Sequence, residues 1–158
     1  MKKDLNSKSG YYSLVLRFIS TRDRSSQEIK EFLTKKGADP EFIQEVIRKL
    51  QDERLLDDGR FASNRIYFRM THKLWGINRI TSELLIFGIH KEIIKSELSK
   101  ITKEAWLSNC NKLIQKKVKF PLSKEALPKL HRQLRSYGYL DTEIKNCLKN
   151  LHSSLEAE

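Results

Sequence analysis

A chain of 158 residues with a formal net charge of +11, 39% apolar and 32% charged, has room for one ordinary domain or a short array of small units, and its composition excludes wholesale disorder. No window approaches the roughly 18 uninterrupted apolar residues of a membrane span, and the best N-terminal candidate, YYSLVLRFIS, is short and broken by Arg17, so a cytoplasmic protein is expected. Cys110 and Cys147 lack CxxC or His spacing, and His90, His131 and His152 share no ligand spacing, so neither a zinc site nor a disulfide framework is expected.

Residues 1–10 read as a basic flexible tail. Helical periodicity starts with residues 12–21, where Tyr12, Val15, Leu16 and Ile19 form one stripe. Ile29 and Leu33 mark a second helix that stops at Gly37, because the left-handed backbone ending a helix costs a residue with a Cβ about 1–2 kcal/mol and glycine avoids that cost. Asp39 as N-cap and Pro40 at the first helical position open a third helix, with Ile43, Ile47 and Leu50 on one face.

The next boundary is RLLDDGRFASNR, Arg54 to Arg65. Asp57 stands where an N-cap belongs, Asp58 adds negative charge at the positive end of the helix dipole, and Leu56 and Phe61 are placed to close as a hydrophobic staple. Adjacent carboxylates at a helix start point apart, so the pair marks a boundary and not a catalytic dyad. A helix follows from Asp58 to about Lys73, with Phe61, Ala62, Ile66 and Met70 inward. Ile80 and Leu84 then precede Gly88, and Ile94, Leu98 and Ile101 follow it. Residues 103–118 make another helix with Ala105, Trp106, Leu113 and Ile114 inward. Leu130 and Leu134 precede Gly138, Asp141 can cap the last helix, and Ile144, Leu148 and Leu151 lie on its inner face, with Cys147 at an apolar position.

Aligned on Gly37, Gly88 and Gly138, five apolar positions recur in three copies at helical spacing. The fold class this predicts is all-α, three tandem three-helix repeats forming an elongated, curved helical array. The expected boundaries are 11–56, 57–101 and 102–152, with a C-terminal tail at 153–158. Each repeat is too small to bury its apolar faces alone, so neighbours pack on one another.

Charge is graded along this array. Residues 11–56 carry nine Lys/Arg against eight Asp/Glu, residues 57–101 eight against five, and residues 102–152 eleven against four. Such a field attracts polyanions, nucleic acid first, and suits an acidic protein surface too. The first candidate ridge is Arg65, Arg69 and Lys73, spaced by four, with His72 adjacent and Arg79 opening the following helix. The second is Lys116, Lys117, Lys119 and Lys124 near Pro121, extended by Arg132 and Arg135. Trp75, Tyr137 and Tyr139 are candidates for stacking on bases. Helices opening PEFIQEV, KEIIKSE and DTEIKNC put acids where a DNA-reading helix would meet phosphate, which disfavours sequence-specific recognition. With no phosphate loop, nucleophile elbow or metal cluster, neither an enzyme nor a cofactor is expected.

Three blocks resemble the RecX family of bacterial RecA regulators. RDRSSQEIKEFLTKKG matches at Arg22, Ser25, Glu28 and Ile29. LLDDGRFASNRIYFR with GINRITSELLIFGI matches at Leu56, Asp57, Asp58, Arg60, Phe61, Arg69, Gly76, Arg79, Ile80, Glu83, Leu84 and Gly88. RQLRSYGYLDTEI is similar at Arg132, Leu134, Gly138, Tyr139 and Ile144. HKLWG departs from the family's Lys-Gly-x-Gly run, keeping Lys73 but placing Leu74 at the first glycine, and Arg54 and Leu55 replace a common Gly-Tyr pair. The resemblance implies a monomer lying in the groove of a RecA nucleoprotein filament and restraining recombination and RecA-dependent activities in DNA repair and the SOS response. Single- or double-stranded DNA is a further candidate partner, and the alternative reading is a stand-alone basic helical DNA-binding protein. Read as exposed charges, Arg65 and Arg69 replaced together by alanine are expected to weaken that inhibition at little cost in stability.

Overall fold

Capping chemistry sets where the helices start. Ser25 accepts from the Glu28 N–H at 3.2 Å while Glu28 accepts from the Ser25 N–H at 3.0 Å, a reciprocal box that opens the second helix. Asp39, Asp57 and Thr102 accept in the same way from the backbone of Glu41, Arg60 and Ala105. Each such cap stabilises its helix by about 1 kcal/mol.

The computed structural model describes residues 8–118 and 126–155, with side chains as far as residue 149. Among them are nine helices and no strand: α1 Lys8–Ile19, α2 Ser26–Lys35, α3 Pro40–Asp52, α4 Asp58–Lys73, α5 Ile77–Ile86, α6 Lys91–Ser99, α7 Lys103–Lys117, α8 Leu127–Ser136 and α9 Asp141–Leu155. None of the described helices is long and apolar enough to cross a membrane.

The ends of α2, α5 and α8 share one geometry. Gly37, Gly88 and Gly138 have φ of +81°, +72° and +94°. Ala38, Ile89 and Tyr139, the next residues, donate back to Leu33, Leu84 and Leu134. This is the Schellman closure, and the three copies of it are the period read from the sequence. After α3 the same turn is made by Arg54, at φ +57° without a glycine's freedom. Its side chain is exposed, and Leu55 N–H still reaches Leu50 O at 2.9 Å. Arg54→Gly is therefore expected to stabilise the protein by about 1 kcal/mol, read as a raised urea midpoint with unchanged slope.

Three apolar clusters follow in chain order. Ile29, Leu33, Ile43 and Leu50 lie in the first, Ile80, Leu84 and Ile94 in the second, and Leu130, Leu134 and Ile144 in the third. The structure corrects several local expectations. The first helix begins at Lys8 and buries Tyr11 and Val15, while Leu16 is exposed, because the inward stripe is rotated by one residue. Tyr12 and Ile19 pack half-buried against the first cluster, and the Tyr12 hydroxyl reaches out to donate to Glu53 at 2.5 Å beneath the Lys49 ammonium. Leu56 closes the first cluster and Phe61 opens the second, so the expected staple gives way to a handover between cores. Trp106 is buried in the second cluster, with Ala105 packed against it, whereas Leu107, Cys110, Leu113 and Ile114 of α7 serve the third. Asp141 lies inside the first turn of α9 and faces His131 and Arg135, while Glu143 accepts from the Leu140 N–H. Cys110 and Cys147 are buried together in the third cluster.

Candidate interface, a ladder of cations and aromatic rings

The middle helices of the repeats meet end to end. No side chain caps α5, which starts after Gly76. Its free donors instead reach the end of α8: Gly76 N–H donates to Tyr137 O at 2.8 Å and Asn78 N–H to Gly138 O at 3.0 Å. Donors left over at one helix start thus meet carbonyls at another helix end, the positive end of one dipole against the negative end of the other. The approach depends on missing side chains. A Cβ on Gly76 would lie 2.5 Å from the Gly138 carbonyl carbon, and a Cβ on Gly138 would lie 2.5 Å from Arg79 N.

A related junction joins α5 to α2. Ser25 Oγ donates to Phe87 O at 2.7 Å, Asp58 accepts from the Ser26 N–H at 2.8 Å, and a Cβ on Gly88 would overlap Gln27. Asp58 therefore serves the start of α2 as well as its own helix. At Gly37 a Cβ would meet nothing within 4 Å.

The α8–α5 junction carries a ladder. The Lys117 ammonium stands 5.6 Å from the centre of the Tyr137 ring, and Arg79 lies between Tyr137 at 5.7 Å and Trp75 at 4.1 Å. Arg79 also donates to Ser136 O at 3.2 Å, which fixes the guanidinium across the junction. Arg69 also lies over Trp75, at 4.5 Å. Cation–π contacts of this kind contribute about 0.5–1 kcal/mol each at exposed sites and hold long side chains in one geometry.

The ridge expected at Arg65, Arg69 and Lys73 is not a row of free cations. Arg69 donates from Nε to Glu83 at 2.8 Å and from Nη2 to the other carboxylate oxygen, a fork that leaves Arg69 17% and Glu83 15% exposed. The hydrogen bond to Glu83 holds the Arg69 guanidinium above its ordinary range. Arg65 lies over Phe87 at 4.3 Å, with its Nε 3.7 Å from Glu83, too far for a hydrogen bond. Burial pushes Arg65 below its ordinary range. Both arginines face α5, so the premise that they are fully exposed fails. Lys73, at the end of α4, is exposed.

Of the other candidates, Arg79, Lys116, Lys117 and Arg132 are exposed and have no ion-pair partner among the described residues. Arg135 is drawn to Asp141 at 3.6 Å. Lys119 and Lys124 lie outside the described residues. Tyr139 is buried and donates to Leu74 O at 2.9 Å, which removes it from the stacking candidates, whereas Tyr137 keeps an accessible edge in the ladder. In the sequence Arg79 and Tyr137 fall in different groups, one in a cationic ridge and one among aromatics at a helix stop. Their one shared signal was that each adjoins a helix end in the repeat register.

A family model described as "RecX, first three-helix domain" matches residues 12–50. The chain is 35% identical over 107 residues to the regulatory protein RecX of Oceanobacillus iheyensis, covering 68% of this chain and 39% of that protein. It is 31% identical over 141 residues to the regulatory protein RecX of Clostridium tetani, covering 86% and 64% respectively. The chain therefore spans between 39% and 64% of the length of these relatives. The crystal structure of RecX from Lactobacillus salivarius matches with a TM-score of 0.83 at 21% identity, covering 92% of this chain and 96% of that one. A further crystal structure of a regulatory protein RecX matches with a TM-score of 0.81, also at 21% identity, covering 90% and 73%. At that identity the likeness is one of fold.

Proposed function

Because the chain belongs to the RecX family, we propose that it regulates the RecA recombinase by seating on the RecA–DNA filament through the ladder at the α8–α5 junction, and so restrains recombination. The observation that carries this reading is the charge of Arg79 and Lys117 over Tyr137 and Trp75, without an ion-pair partner among the described residues, with Arg79 anchored by Ser136 O. Guanidinium and ammonium groups held in place lose little freedom on meeting phosphate or carboxylate. The second and third repeats, 57–101 and 102–152, would then face the filament, with the more basic of them, the third, nearest the polyanion, and the first, 11–56, away from it. Lys73, Lys116 and Arg132 extend the contact in this reading, and Arg65 and Arg69 support it from beneath.

The test is DNA-dependent ATP hydrolysis and strand exchange by RecA on single-stranded DNA, titrated with this protein. Inhibition at a ratio well below one protein per RecA supports the reading. Equal inhibition of an unrelated DNA-dependent ATPase would instead favour competition for free DNA. Arg79→Gln with Lys117→Ala is expected to weaken inhibition about tenfold, two contacts of roughly 0.7 kcal/mol each. The loss should shrink as salt rises, because the contacts are screened.

A further inference from the structure

The repeat supplies its own control for which side chains the fold requires. Seven, three and two residues before the stopping glycine, α2 carries Lys30, Thr34 and Lys35, and α8 carries His131, Arg135 and Ser136. The same register in α5 holds Thr81, Leu85 and Ile86. Leu85 is 42% exposed and Ile86 81% exposed. These apolar groups sit where both other copies of the module carry polar side chains, one of them charged at each position, so folding does not call for them. Beside them runs a groove of about 550 Å³, floored by Ile77 and Leu85 of α5 and by Ile94 and Leu98 of α6.

We infer that this α5–α6 groove docks an acidic amphipathic helix of a partner protein. An apolar floor between two helices suits a third helix laying its own apolar face down. Ile77 and Leu85 are eight positions apart, about 12 Å or two helical turns, which fits leucines spaced by three and four. The rim selects the charge. Lys91 and Lys95 stand one turn apart on the α6 wall without ion-pair partners among the described residues, although Glu92 also lines the groove. Nucleic acid gains nothing from the apolar floor. A second molecule of this chain pairing face to face about a twofold axis would bring the lysines of both rims together. The surface shares no residue with the Arg79 ladder and stands independently of the regulatory reading.

The probe is a fluorescein-labelled 14-residue peptide with leucines on one helical face and glutamates flanking them, compared with a scrambled peptide of identical composition. Anisotropy with the full chain is expected to show micromolar binding of the amphipathic peptide and at least tenfold weaker binding of the scramble. Leu85→Thr with Ile86→Ser, residues that α2 and α8 already carry in this register, should weaken binding at least tenfold with an unchanged melting curve. Lys91→Gln with Lys95→Gln should weaken it less and flatten its salt dependence. Equal binding of the two peptides, or wild-type affinity in the Leu85→Thr and Ile86→Ser protein, would overturn the inference. So would sedimentation showing a wild-type dimer that the same double substitution makes monomeric, since the face would then belong to a second molecule of this chain.

Discussion

Gly138→Ala is expected to lower the thermal midpoint by roughly 10–20 °C, far more than the same change at Gly37. Both residues are left-handed, with φ of +94° and +81°, so both substitutions incur the Cβ penalty of about 1–2 kcal/mol. At Gly37 that is the whole cost, because a Cβ there meets open space. At Gly138 the new Cβ would also lie 2.5 Å from Arg79 N, and backbone atoms cannot swing aside as a side-chain tip can. Relief requires α5 and α8 to separate, which breaks the bonds from Gly76 N–H and Asn78 N–H and leaves polar groups unpaired. At about 1 kcal/mol per bond and 1–3 kcal/mol for a stranded donor, the total reaches roughly 4–6 kcal/mol, or about 2–4 °C for each kcal/mol in a chain of this size. Parallel circular dichroism melts of the two variants check it. Equal shifts would mean that the junction contributes nothing.

Arg69→Ala carries the second largest expected effect, a loss of about 3 kcal/mol, or roughly 6–12 °C. The substitution strands Glu83 behind a partly closed surface and uncovers Trp75. A double-mutant cycle of Arg69→Ala with Glu83→Ala, followed by urea unfolding, should give a coupling of at least about 1 kcal/mol. Arg69→Lys should recover only part of the loss, since an ammonium cannot form the two-point fork. Weaker filament inhibition by an Arg69 variant would therefore accompany lost stability, unlike the effect expected at Arg79 and Lys117.

What could be read from the sequence was local chemistry. The αL stops at Gly37, Gly88 and Gly138 follow from backbone sterics, and the caps at Asp39 and Asp57 from the hydrogen-bonding reach of a short carboxylate. The bounds of α4 could be read for the same reason, and so could the three-copy apolar register. Contacts between distant segments could not. Arg65 and Arg69 share a helix face spaced by four, a pattern that solvent-facing rows also show. Only the position of Glu83 on α5 and of Trp75 and Phe87 turns that face inward. Gly76 and Gly138 are 62 residues apart, and nothing near either announces that their backbones touch. Trp106 shows the same limit, since helical period identifies an inward face but not which neighbouring core it enters. The ladder became visible when the α8–α5 junction placed Arg79 over Tyr137.

Amide hydrogen exchange of the protein, alone and saturated with RecA-coated single-stranded DNA, tests the central claim most directly. New protection is predicted over Lys73–Arg79 and over the end of α8 around Arg135–Gly138, with α1 and α3 little changed. Protection confined to α1–α3, or an unchanged exchange profile at saturating filament, would contradict it.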